Sequence, residues 1–380
     1  MFAYRGRTRP GLQLVPVLFV ACLMRLSVLP ASAQEVNGPP RVLHELGHGV
    51  SPRLSDIVPV ATPPAPVSAI IRLGRPALPP EAPQGQDPAL QKTSGPLVGT
   101  TTALGFEGIS AHGVAPPDTN LSVSATQVVQ VVNVEYAVYN KTGGLLAGPL
   151  PLHNLWSGLT SASSLCRTVD GGDPIVLYDK AAGRWLISQL AYNSNFSSNS
   201  QCIAVSQTSD ATGSYNAYEF SFGNNLPDYP KFGVWPDAYY FSANIFQNGS
   251  SFRGAMACAF DRSAMLNNQN AIGVCFQRST SDASLLPSDM DSTPPSGSPN
   301  FYLELATSSS LKLYRFHAEF NPWTNSTFTS AGSIPVASYS IPCSIFSCIS
   351  VPQPGTGQKL DSLGDRLMYR LAYRNFPDHE

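Results

Sequence analysis

Charge is scarce in this chain. Of its 380 residues only 13% are Asp, Glu, Lys or Arg, and the formal net charge is −2. No basic run stands out, so the electrostatic footprint of a nucleic-acid binder is missing. There is no G-x-G-x-x-G or Walker loop, which argues against nucleotide use. There is no G-x-S-x-G elbow for a nucleophilic serine. No C-x-x-C pair occurs, which speaks against a cysteine zinc site. Beyond residue 97 no segment carries a long 3.6-residue periodicity. In place of charge the chain has Asn, Ser, Thr, Gly, Pro and Tyr, with 30 Gly, 34 Pro and 15 Tyr. That is the polar, weakly charged surface of many extracellular β proteins.

The N-terminus reads as an export signal, residues 1–33. Arg5, Arg7 and Arg9 form the positive region, Leu12 to Met24 the apolar one, and Ala31-Ser32-Ala33 an A-x-A cleavage site before Gln34. The apolar run is too short to span a bilayer. Val20-Ala21-Cys22 gives a second reading, a lipoprotein signal, and only lipidation at Cys22 would tie the chain to a membrane. Either reading sends the protein to the cell exterior or a periplasm. In such an oxidising compartment the six remaining cysteines suggest disulfides. A sequence-local set is expected: Cys166–Cys202, Cys258–Cys275 and Cys343–Cys348.

Residues 34–97 are Pro-rich and lack periodicity, as in ATPPAPVSA and RPALPPEAPQGQDPAL. Frequent prolines fix φ and remove donors, so this stretch reads as a disordered linker. From residue 98 to 380 short apolar or alternating runs recur between Gly, Pro, Asn and Asp. PIVLYDKAAGRWLISQLAY is a hairpin with its turn at Asp179 to Gly183, and Thr142-Gly143-Gly144 marks another turn. AMLNNQN, after Asp261, is the best helical turn. Asp118, Asp173 and Asp228 stand 55 residues apart before such runs, followed by Asp289 and later Asp361. A period near 50 residues with several strands per unit suits a β-propeller blade. The expected fold is all-β, a propeller of about five four-stranded blades with the last incomplete. Either the segment around Thr100 to Ile109 completes the ring, or the chain is a truncated product.

The residues PPDTNLSVSATQVVQVVNVEYAVYNKTG, GDPIVLYDKAAGRWLISQ, DYPKFGVWPDAYYFSAN and QKLDSLGDRLMYRLAYRNFPDHE resemble a family of uncharacterised secreted bacterial β-propellers, loosely sialidase-like or BNR-type. The resemblance runs over residues 98 to 380. It implies a propeller and no particular reaction. The S-x-D-x-G-x-T-W box of sialidases is absent. Arg167, Arg184, Arg253, Arg315 and Arg366 show no spacing that singles out three to grip a carboxylate.

In a propeller, inner-strand starts surround the mouth of the central channel, so carboxylates of different blades can converge there. Asp118, Asp173 and Asp228 are the catalytic candidates, because two carboxylates flanking a sugar bond suffice for acid/base hydrolysis. Tyr229, Trp235 and Tyr240 offer stacking surfaces, with Asp237, Asp289 and Asp361 as polar neighbours. The competing view is that each Asp holds a turn at a blade corner, since structural residues repeat while catalytic ones are usually unique. Calcium has one weak candidate, Ser288 to Ser292 (SDMDS), which lacks the EF-hand spacing.

One motif points elsewhere. His44-Glu45-Leu46-Gly47-His48 spells H-E-x-x-H, which in metalloproteases puts two His on one helix face. Here Pro39-Pro40 and Pro52 leave room for barely two turns, and Gly47 and Gly49 weaken those. The motif therefore reads as part of the tether. Together these features favour a secreted propeller that binds carbohydrate or another surface partner, a polysaccharide or glycan. A glycoside hydrolase is the alternative, and a zinc metalloprotease the remote one.

Overall fold

In the computed structural model, residues 38–58, 104–110, 114, 116–340 and 348–377 are described. The signal segment, the rest of the linker and Cys343 lie outside them. Four antiparallel four-stranded units follow one another in the chain. The first holds β2 (Asn120–Val123), β3 (Gln127–Val132), β4 (Glu135–Asn140) and β5 (Leu145–Pro151), after a separate strand β1 (Arg41–Val50). The second holds β6 (Ile175–Asp179), β7 (Arg184–Tyr192), β8 (Asn199–Ser206) and β9 (Tyr215–Gly223). The third holds β10 (Asn225–Val234), β11 (Ala238–Gln247), β12 (Ser251–Asp261) and β13 (Ile272–Gln277). The fourth holds β14 (Leu286–Met290), β15 (Asn300–Thr307), β16 (Ser310–His317) and β17 (Thr327–Pro335). Of a fifth unit, the described residues form β18 (Ile349–Val351), β19 (Leu360–Asp361) and β20 (Leu371–Tyr373), the last pairing in parallel with β14.

The side chains show how the sheets stack. Along β7, Trp185 and Ile187 enter one core and Leu186, between them, enters the next. Along β11, Tyr239 and Phe241 face the second core while Ala238 and Tyr240 face the third. A strand of period two thus feeds two cores, one on each face of its sheet. Sheets stacked in that way, with the first strands β2, β6, β10 and β14 adjacent on the inside, make a β-propeller. Both faces of the middle strands are buried, which is why they read as nearly continuous apolar runs rather than clean alternation.

The β6–β7 turn forms where the sequence marks it, and the helical turn forms two residues earlier than AMLNNQN begins. Gly183 closes the β6–β7 turn at φ +64, donating to Asp179 O at 2.8 Å. Asp261 caps the short helix α1 (Arg262–Leu266) by accepting the Ala264 N–H at 3.0 Å. The bonds Cys166–Cys202 and Cys258–Cys275 are both present, the second directly across the β12–β13 ladder. Cys348 is disulfide-bonded too.

Two expectations change. Leu104 to Ser110 add no strand to the ring. Ile109 instead packs on the first blade, its N–H donating to Gln130 Oε1 at 2.8 Å. More consequentially, Arg41–Asp56 is not an unstructured tether. Strand β1 lies between the outermost strands of blades two and three. It pairs with β13 through Arg41↔Cys275 to His44↔Ile272, and with β9 through Glu45↔Phe220 to Val50↔Asn216. The prolines that shorten a helix there bound a strand equally well. Glycine suits the fit, because a Cβ on Gly49 would stand 2.3 Å from Gly158 O. Downstream, Leu54 is fully buried in the core of blades one and two.

Strand geometry also undoes the zinc motif. The ladder shifts register between Glu45 and Gly47, leaving Leu46 as an extra, exposed residue. In a regular strand residues four apart share a face; one inserted residue puts His44 and His48 on opposite faces. Glu45 is already engaged by His48 Nδ1 at 2.5 Å and the Ala271 N–H at 3.0 Å. Among the described residues no group of three His, Cys, Asp or Glu is arranged to hold a metal.

Candidate functional site

Each of the four complete blades carries a residue in the left-handed region at its inner strand, two residues before β2, β6 and β14 and at the bulge within β10. These are Asp118 (φ 40°), Asp173 (φ 50°), Tyr229 (φ 56°) and Ser284 (φ 54°). Their step of 55 or 56 residues is the true form of the repeat. Such backbone is costly for residues with a Cβ and needs outside support. Asparagines of neighbouring strands supply part of it. Asn133, at the β3–β4 turn, donates through Nδ2 to Asp118 Oδ2 at 2.9 Å and accepts the Asp173 N–H on Oδ1 at 2.9 Å. Asn244 on β11 treats Ser284 alike, accepting its N–H at 2.7 Å.

The three repeating aspartates meet at this end of the molecule. Asp118 is exposed, and Asp173 and Asp228 are half-buried. Burial, then the charges of Asp228 and Asp118, push the Asp173 carboxyl well above the usual range. Burial pushes Asp228 up to about 6, against Arg366, Lys231 and the Tyr229 N–H, which pull it down. Tyr192 stands near both and is raised by burial and by their charges.

Lys231 completes the cluster, and alternation along the strand hides it. In a regular strand residues 228 and 231 would face opposite ways. The β10–β11 ladder slips by one residue here, with Asp228 opposite Asn244 and Lys231 opposite Ser242. The bulge turns Lys231 back among the aspartates. Its sequence signal is Pro230, since proline inside a strand marks bulges or edges. Burial lowers the Lys231 ammonium to about 8, against the three carboxylates that hold its proton. Its Nζ lies 3.7 Å from the Tyr229 ring centroid and 5.7 Å from that of Tyr369. Arg366 sits 4.7 Å from the Tyr229 ring and is paired with Asp365. Tyr229 therefore serves these cations as well as bordering the mouth. Beside it opens a cleft of about 730 Å³ that includes Leu305, Leu311, Tyr339 and Tyr369 in its walls.

The other expected ligand residues do not join this cluster. Trp235 is buried between blades, its indole N–H donating to Ser298 O at 3.1 Å and its ring edge-on to Tyr373. Tyr240 is equally buried, and its hydroxyl donates to Asp237 at 3.1 Å. Asp289 accepts the Val234 N–H at 2.8 Å and pairs with Arg370. It lies within β14, because the equivalent of Asp173 in blade four is Ser284. Asp361 is exposed and accepts the Leu363 N–H at 2.9 Å. The proposed calcium loop is likewise committed: Asp291 is held by Arg370, Arg374 and Lys180.

No family model matches the chain, and no curated protein matches it. Some solved structures are similar to parts of it. The GH43 endo-arabinanase of Bacillus licheniformis is 11% identical, with TM-score 0.31, over 56% of this chain and 78% of that one. The α-L-arabinanase of Penicillium chrysogenum, solved with arabinobiose, is 12% identical, with TM-score 0.32, over 57% and 67%. An exo-β-1,3-galactanase of Phanerochaete chrysosporium, solved with galactose, is 9% identical, with TM-score 0.30, over 60% and 62%. At these scores the likenesses carry no argument, and the site stands on its own geometry.

Proposed function

We propose that the chain is a secreted carbohydrate-active propeller and that the Asp118–Asp173–Asp228 mouth is its site, acting as a glycoside hydrolase. The observation that carries the reading is the meeting of three carboxyls from three blades, two of them raised above the usual carboxylate range by burial. Glycoside cleavage needs an acid to protonate the leaving oxygen and a carboxylate to assist water or the sugar cation. Asp228, poised at about 6, suits the acid. Asp118, at the exposed edge of the cluster, suits the carboxylate. Lys231 balances the remaining charge. The disulfides and the N-terminal signal support export.

One observation favours a second reading, a binding module. Asp118 and Asp173 are both held by the one side chain of Asn133, a structural tie of the kind that anchors a blade corner. The test is a screen of arabinan, galactan and 4-nitrophenyl glycosides with wild type and Asp228→Asn. Turnover that falls by about 100-fold or more in the variant supports hydrolysis. Saturable glycan binding without turnover puts the binding module in its place.

A further inference from the structure

Strand β1, whose letters spell H-E-x-x-H, has no part in the proposed chemistry, yet its placement is unusual. Blades of a propeller diverge outward, so the outer edges of neighbours end far apart. Here β1 fills that gap and turns blades two and three into one nine-stranded sheet. Two motif side chains then reach to opposite sides of the seam. Glu45 Oε2 accepts the N–H of Ala271, the residue before β13 of blade three. Glu45 Oε1 holds His48, whose ring stacks on Tyr218 of blade two at 5.5 Å. The one-residue bulge at Leu46 is what brings Glu45 and His48 to one face. The Tyr218 hydroxyl in turn donates to Ala264 O at 3.2 Å and Gln269 O at 3.0 Å, in blade three. Leu43 packs on the core between the two blades.

We infer that β1 is a strap across the seam of blades two and three, and that Glu45 and His48 are positioning residues that latch it. The inference rests on reading the carboxylate mouth as the site. The outer edge has the longest lever arm against rotation of one blade relative to the next. Asp173 opens the inner strand of blade two and Asp228 lies on that of blade three. Fixing the seam outside therefore fixes their approach inside.

The test needs no substrate, so it can fail independently of the glycan reading. In the full chain, Glu45→Ala is compared with wild type by amide hydrogen exchange and by ¹³C titration of the Asp228 carboxyl. The Ala271 amide and its neighbours on β9 and β13 are expected to exchange about tenfold faster. The Asp228 midpoint is expected to fall from about 6 toward the ordinary carboxylate value as the seam admits water. Glu45→Gln, which still accepts the Ala271 N–H, is expected to restore most of both. If Glu45→Ala does not fold, His48→Phe keeps the stack on Tyr218, removes the latch and is expected to shift Asp228 the same way. An Asp228 midpoint unchanged in a folded latch variant overturns the proposal, whatever the exchange rates do.

Discussion

The backbone N–H of Asp173 donates to the side-chain oxygen of Asn133 at 2.9 Å, across the boundary between blades one and two. The same amide group donates to the Asp118 carboxylate, so one uncharged side chain holds two members of the cluster. Asn133→Leu removes both bonds, and a third to Pro116 O, at a buried position. A loss of about 2 kcal/mol in urea unfolding is expected. The Asp118–Asp173 pair should also loosen, which ¹³C titration of the two carboxyls reports as a lower Asp173 midpoint.

Stability should fall as pH rises through the acid range. Asp228 titrates near 6 in the fold, and Asp173 is raised as well, whereas an unfolded aspartate titrates near 3.9. Between those values the folded state binds more protons than the unfolded, so stability is greatest below about 4 and declines as pH climbs through 6. Lys231 works at the other end. Its folded value of about 8 lies below the unfolded one, so stability returns as pH rises from about 8 to 10.5. Melting temperature against pH checks this, and Asp228→Asn should flatten the acid limb.

A buried ion pair ties blades two and three near the other end of β6. Asp179, with no exposed surface, accepts from Arg262 at 2.7 and 3.1 Å and from the Tyr239 hydroxyl at 3.1 Å. Arg262→Met strands the carboxylate and should cost about 3–5 kcal/mol. Adding Asp179→Asn should recover a substantial part. A double-mutant cycle in denaturant measures both.

The disulfides should differ in their value to the fold. Cys166–Cys202 closes 36 residues and Cys258–Cys275 closes 17. Chain entropy gives about 3–4 kcal/mol for each, with the longer loop ahead by about 0.7 kcal/mol. Cys→Ala pairs in each bond, compared by urea midpoint, test the order.

Purified protein should carry sub-stoichiometric zinc, and His44→Ala should leave that trace unchanged. Strand β1 sets the two histidines on opposite faces, so elemental analysis showing one zinc per chain would contradict the pairing of β1.

Much of this architecture was readable from local signals. The 55-residue step marked the blades, Asp179–Gly183 marked a turn, and AMLNNQN marked a helical turn to within two residues, because each depends on neighbours in sequence. The fourth repeat misled because position 284 is a serine. What repeats there is a left-handed backbone, which leaves no carboxylate to read at that position, and Asp289 stands in for it in the sequence pattern. Lys231 was hidden by a bulge that breaks alternation. Strand β1 was hidden because its partners lie about 170 to 230 residues away, and non-local pairing leaves no trace in a short window.

The most direct test of the central claim is the rate of reducing-end release from the polysaccharide panel by wild type and Asp173→Asn, with melting curves confirming that both are folded. If the mouth is the site, the variant is at least about 100-fold slower. An active wild type with an equally active Asp173→Asn would contradict it.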